Sequence, residues 1–159
     1  ENEVKNRIRW NVIRPFSPFG YWDDKNRLVP TLVLSALYKV PARLASPHSK
    51  RDFIFIDDLC SAYISVIKSD ISSESFNIGT GKETKTLDLY NVIYEAVREI
   101  KPGLPQALSH LSAQNARPGD IKRSCLVVGK ARDGLGWVPE TVLGQGIRLT
   151  LQWWLREKH

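Results

Sequence analysis

Tyr21-Trp22-Asp23-Asp24-Lys25 carries a Tyr-x-x-x-Lys spacing. On a helix that spacing sets a phenol and an ammonium one turn apart, where the cation can depress the phenol's pKa and make it an acid/base group. Here the pair follows Pro18 and Gly20 in a loop-forming stretch. A loop does not hold two groups on one face, so the match reads as chance among five tyrosines and eleven lysines. Arg14, Arg51 and Arg117 offer a second chemistry, since each stands at an element edge beside Pro or Asp. A guanidinium there can fork onto phosphate oxygens, or simply pair with the nearby acid. Three of them converging would suit a diphosphate. Asp120 either accepts hydrogen bonds from ribose hydroxyls or braces Arg117, and spacing leaves both open.

Other candidates are poorer. Gly79-Thr80-Gly81 follows a strand-like run but lacks the third glycine of a dinucleotide fingerprint, and it reads as a tight turn. His48, His110 and His159 stand apart from any Ser, Asp or Cys pattern and show no metal-ligand spacing. Cys60 and Cys125 have no paired spacing either, which makes a reducing cytoplasm the default and Cys60 a core residue.

The elements that must position these groups are bounded by composition. A chain of 159 residues, 42% apolar and 25% charged, has room for one domain or part of a larger one, and is neither disordered nor fibrous. No apolar run approaches the roughly 18 residues a membrane span needs. The net charge of +6 is spread along the chain and favours an anionic partner. Glu1-Asn2-Glu3-Val4-Lys5 is polar, unlike a secretory leader, and with no methionine present Glu1 reads as an artificial beginning.

Residues 10–16 read as a buried strand and 28–38 as a helix with Pro30 in its first turn, stopped by Pro41. Ala42–Ala45 reads as a brief strand, and Ser46-Pro47-His48-Ser49 as a turn. Arg51–Ile56, apolar on both faces, reads as one strand. Asp57 or Asp58 then caps a helix to about Lys68, with Leu59, Cys60, Tyr63, Ile64 and Ile67 on its buried stripe. Ser75–Ile78 is a small strand; Leu87, Tyr90, Ile93, Tyr94, Val97 and Ile100 mark a helix ended by Pro102-Gly103. Residues 104–120 are less periodic, followed by a strand at 122–127 and a short helix near Lys130–Leu135. Thr141 caps a last helix with its stripe on Leu143, Ile147, Leu151, Trp154 and Leu155. The aromatics, Trp10 and Tyr63 included, fall mostly on core faces, which disfavours base stacking on nucleic acid. The alternation of strand and helix predicts an α/β fold.

Five motifs in this order resemble a known family: Val12-Ile13-Arg14-Pro15-Phe16-Ser17-Pro18-Phe19-Gly20, Arg51-Asp52-Phe53-Ile54-Phe55-Ile56-Asp57-Asp58, Phe76-Asn77-Ile78-Gly79-Thr80-Gly81, Arg117-Pro118-Gly119-Asp120 and Leu135-Gly136-Trp137-Val138-Pro139. The chain is similar to the C-terminal, substrate-binding half of the NAD-dependent sugar-nucleotide epimerase/dehydratase family, the extended short-chain dehydrogenases. The resemblance implies the last part of a Rossmann-type fold with a small mixed α/β substrate domain, all of 1–159 forming one unit. The cofactor-binding N-terminal half, with its Gly-rich loop and catalytic Tyr-x-x-x-Lys, would be absent and the piece inactive alone.

By that resemblance Pro15 and Phe16 lie against the nicotinamide end of NAD or NADP, and Ser17 stands where many members use Asn on the sugar-phosphate. Leu28, Val29 and Pro30 open the helix bordering the nucleotide, Leu44 sits near the base, Arg51 and Arg117 grip the diphosphate, and Asp120 meets the ribose. Asp57-Asp58, Asn77 and the Gly-Trp-x-Pro turn would serve capping and packing. The implied partner is a nucleotide-diphosphate sugar, with no membrane, and a homodimer of the intact protein is among the expectations. A non-catalytic basic module binding RNA or another polyanion is the rival expectation.

Overall fold

Ile54 and Phe55 are neighbours on a two-residue strand, so they point to opposite faces and serve two different cores. That alternation is why this run reads as apolar on both sides. The computed structural model describes residues 8–39, 42–44, 46–103, 111–113, 121–125 and 127–157. In chain order they form β1 (Asn11–Pro15), β2 (Pro18–Phe19), α1 (Leu28–Tyr38), β3 (Ala42–Leu44), β4 (Lys50–Arg51), β5 (Ile54–Phe55) and α2 (Ile56–Lys68). Next come β6 (Glu74–Ile78), β7 (Thr84–Lys85), α3 (Thr86–Ile100), β8 (Leu111–Ala113), β9 (Arg123–Ser124), α4 (Gly129–Leu135) and α5 (Leu143–Arg156).

Pairing is predominantly parallel: β1 with β6, β2 with β5, β3 with β8, and β4 with β9, while β7 runs antiparallel on the other edge of β4. Parallel neighbours need crossovers through helices, and the helices here supply them. The fold is accordingly mixed α/β.

The larger core lies between α1, α3 and α5. Leu32, Val33, Ala36 and Leu37 of α1, Leu89, Ile93 and Val97 of α3, and Ile147 and Leu151 of α5 recur at helical spacing and are buried. They close over Phe19, Phe53 and Phe55, and Phe19 and Phe55 stand with ring centroids 5.7 Å apart. Gly146 lets α5 come this close, because a Cβ there would fall 2.9 Å from the Phe19 ring and 3.0 Å from that of Phe55. The smaller core packs Ile54, Leu59 and Ala62 against Phe76 and Ile78 of β6, with Ala131 and Trp137.

Several sequence expectations need correction. The run 51–56 is not one strand: β4 ends at Arg51, Asp52-Phe53 interrupts it, and Ile56 already opens α2. β1 is half-exposed rather than buried, with Trp10 and Val12 at 54% and 38% exposure, because its partner among the described residues is β6 alone. The stripe of α2 is also misread, since Leu59 and Ala62 are buried while Cys60, Tyr63, Ile64 and Ile67 face outward. β9 covers only Arg123–Ser124, and β8 arises within a stretch that lacks sequence periodicity. Pro41 and Ala45 lie outside the described residues, and α1 ends on Lys39 in the left-handed conformation.

Capping also differs. Neither Asp57 nor Asp58 caps α2, whose N-cap is Phe55, and Val142 rather than Thr141 precedes α5. Asp58 is buried and accepts hydrogen bonds from the backbone N–H groups of Glu140 (3.0 Å) and Thr141 (3.1 Å). Beside it the Trp137 indole N–H donates to Ser61 Oγ at 2.8 Å. Together they tie the first turns of α2 to the segment entering α5. Asp58→Ala therefore leaves two backbone donors unmatched, and the expected cost is about 2–3 kcal/mol, read from denaturant unfolding of the intact protein.

Candidate functional site

In open α/β sheets, ligands settle in the crevice beyond the carboxyl ends of parallel strands. β1 and β6 end side by side here. Phe16 N–H donates to the Ile78 carbonyl at 3.0 Å, and the Ser17 carbonyl accepts from Ile54 N–H at 3.4 Å. Ser17 holds a positive φ of 28°, so the chain turns sharply as it leaves the sheet. Pro15 is exposed, while Phe16 and Ser17 are half-buried at this edge.

The charges beside this edge are unequally satisfied. Glu83 takes both Lys50 (Nζ to Oε2, 3.1 Å) and Arg123, and these two cations, Arg123 first, hold its carboxyl below the usual carboxylate range. Arg51 follows Lys50 on the central strand of the three-stranded β7-β4-β9 sheet, opposite Thr84 and Ser124, yet its guanidinium meets no carboxylate among the described residues and donates to the Lys50 carbonyl, at 3.0 Å. Half-buried and without an acid, Arg51 is the group here best placed to receive an external anion.

The next residue explains the glycine turn. Asp52 is fully buried, and its carboxylate accepts from Thr80 N–H (2.9 Å), Thr80 Oγ1 (2.6 Å) and Gly81 N–H (2.8 Å). A Cβ on Gly79 would fall 2.6 Å from Asp52 Oδ2, so the side of the turn facing the carboxylate must be bare. Gly79-Thr80-Gly81 is thus a turn whose Thr80 and Gly81 N–H groups are spent on Asp52. It offers no phosphate cradle.

The remaining candidates scatter. Leu28 opens α1 exposed, whereas Val29, Pro30 and Leu44 are buried, Val29 and Leu44 in the larger core. Arg14 is exposed on β1. Arg117 and Asp120, like Glu1, His110 and His159, lie outside the described residues. Tyr21 and Lys25 occupy the loop before α1. Burial, with the charge of Asp57, pushes the Tyr21 phenol up, the opposite of an activated base; its ring packs edge-on against Phe55 at 5.4 Å. Among the described residues no cluster of three or more His, Cys, Asp or Glu is arranged to hold a metal, and no helix is long and apolar enough to cross a membrane.

Sequence reasoning missed Asp52 and Glu83. Asp52 stood in a quoted motif without a role, and Glu83 gives no signal in sequence, since its two partners are 33 and 40 residues away.

A mixed α/β body whose parallel strands end together has the layout of a Rossmann-type fold. The family model described as GDP-mannose 4,6 dehydratase matches residues 23–150. The dTDP-glucose 4,6-dehydratase of Neisseria gonorrhoeae is 28% identical over 145 residues, covering 88% of this chain and 42% of that protein. That of Salmonella typhimurium is 29% identical over 138 residues, covering 86% and 38%. The solved UDP-glucose 4-epimerase of Thermotoga maritima with UDP-glucose superposes with a TM-score of 0.83 at 24% identity, covering 96% of this chain and 48% of that one. The Bacillus anthracis dTDP-glucose 4,6-dehydratase with NAD gives 0.81 at 22% identity, covering 93% and 45%. The chain belongs to the family of NAD-dependent sugar-nucleotide dehydratases and epimerases. It spans about two fifths of the length of the curated relatives it matches.

Proposed function

We propose that this chain is the nucleotide-sugar-binding portion of an NAD-dependent enzyme that acts on a nucleoside diphosphate sugar, by dehydration, epimerisation or keto reduction. The observation carrying this reading is Arg51: a half-buried guanidinium without a carboxylate among the described residues, at the carboxyl ends of parallel strands. Its planar fork matches a diphosphate, and Arg117 joins it as a second grip. Ser17, on its sharp turn, meets the sugar-phosphate, and Asp120 the ribose. Leu28 borders the nucleotide, with Val29, Pro30 and Leu44 backing the pocket.

The nicotinamide cofactor, when bound, supplies hydride chemistry at a sugar carbon. In this chain Pro15 and Phe16 border that end. The Thr80 and Gly81 N–H groups of the glycine turn serve Asp52 rather than a phosphate, which agrees with a cofactor held mainly by another portion of the intact protein.

The sheet supports the same reading. β1 pairs with β6 alone among the described residues, and isolated two-stranded parallel sheets are not built to stand in water. Tyr63 and Ile67 lie exposed along a groove of about 410 Å³ lined by Asn11 and Ile13 of β1 and Val66 of α2, and Trp10 and Val12 stand exposed on the opposite face of that strand. The cofactor-binding portion covers this face, adding its strand to the free edge of β1. A cytoplasmic location goes with this reading, since Cys60 and Cys125 form no disulfide.

Two measurements test the proposal. The intact protein binds UDP-, GDP-, CDP- or dTDP-sugars saturably, and failure to bind any of them removes the reading. The isolated 159-residue chain, supplied with NAD and nucleotide sugars, turns over nothing; clear turnover would show that the chain is self-sufficient.

A further inference from the structure

We propose that Asp52 is a positioning residue: its buried carboxylate buckles the Gly79-Thr80-Gly81 turn to the strand end and thereby holds Arg51 in register for a diphosphate. The inference rests on the proposed nucleotide-sugar reading and assigns it a residue that never touches the ligand. A fully buried carboxylate is costly to desolvate, and here no cation compensates it among the described residues. Three donors do so instead, two backbone N–H groups and the Thr80 hydroxyl, all within 2.9 Å. Charge-assisted bonds of this kind are shorter and more directional than neutral ones. A turn that needed only closure would be met by a neutral acceptor at lower cost.

The buckle joins the described segments that carry Arg51, Phe16 and Ser17. Arg51 is covalently next to Asp52. The turn follows directly from Ile78, whose carbonyl binds Phe16 N–H, and Ile54, two residues beyond Asp52, binds the Ser17 carbonyl. The turn also leads into Glu83, which draws Lys50 and Arg123 to itself and leaves Arg51 free. Gly79 closes the arrangement from behind, with no space for a Cβ against Oδ2. Sites held within about 0.5 Å need such a support behind the contacting group.

The experiment is a double-mutant cycle on the intact protein, with UDP and dTDP as probes, uridine and thymidine as phosphate-free controls, and thermal unfolding recorded for each variant. Asp52→Asn turns one accepting oxygen into a donor; it weakens diphosphate binding at least tenfold and leaves nucleoside binding within twofold. In an Arg51→Ala background the same change has no further effect on diphosphate affinity, because its consequence runs through Arg51. Thr80→Ala, which removes one of the three bonds, weakens binding about threefold, and Thr80→Ser restores it. Should Asp52→Asn fail to fold, the Thr80→Ala and Arg51→Ala cycle decides alone. Additive losses, equal losses for nucleoside and diphosphate, or folded variants that bind diphosphate like the wild type overturn the inference. If the wild type itself binds no diphosphate, the nucleotide-sugar reading falls and the inference with it; a wild type that binds diphosphate beside folded variants that bind it equally well sinks only the buckle.

Discussion

Arg51→Ala in the intact protein is expected to weaken binding of a nucleoside diphosphate sugar by about 2–3 kcal/mol, the range for hydrogen bonds to a charged group. The structure gives this substitution an unusually clean reading. Arg51 has no carboxylate partner among the described residues, so its removal leaves no acid orphaned there and little folding stability is lost. Its neighbours make the contrast. Lys50 and Arg123 are engaged by Glu83, and truncating either one disturbs that surface cluster while changing ligand affinity far less. Isothermal titration at low and high salt checks the assignment. The wild type loses affinity as salt rises, and Arg51→Ala shows a shallower loss because one anion contact is gone. An affinity unchanged by Arg51→Ala would remove the diphosphate from this edge of the sheet.

Phe55→Ala is expected to carry the largest stability cost, about 3–5 kcal/mol, because it opens a cavity where three helices meet. Phe55 is 2% exposed, stands 5.7 Å from the Phe19 ring and 5.4 Å from that of Tyr21, and faces the bare Cα of Gly146 on α5. The rings cannot simply collapse into the space, since Phe19 is itself clamped by β2 pairing with β5. Denaturant unfolding of the intact protein reads the loss as a lower midpoint. A change below about 1 kcal/mol would mean that the larger core is not organised around this ring.

The two predictions address different cores of one strand end. Ile54 and Phe55 lock β5 between the small core under β1 and β6 and the large core under α1, α3 and α5. Asp52, Arg51 and the Ser17 turn are therefore held by packing on both sides. That rigidity is what a diphosphate clamp requires, because an arginine on a loose segment would spend part of its binding energy on ordering itself.

Some of this was legible from residue order. The helices α1 and α3 announced themselves by apolar residues at helical period, with Pro30 in a first turn and Pro102-Gly103 at an end. The strand before Gly79, the alternation of elements and the family were likewise readable, because each rests on local spacing or on a motif intact in sequence. What the chain alone could not disclose is who meets whom. The stripe of α2 was assigned inward because periodicity reports that a helix has an apolar side, not which part of it finds cover. Tyr63, Ile64 and Ile67 are apolar and exposed all the same. The two aspartates tell the same story: Asp52 and Asp58 have the look of strand-end and capping residues, yet their partners lie 28 to 83 residues away. Local propensity acts over a helical turn, whereas a buried carboxylate is satisfied by whichever donors the tertiary packing brings within 3 Å, and no spacing rule reaches across that distance.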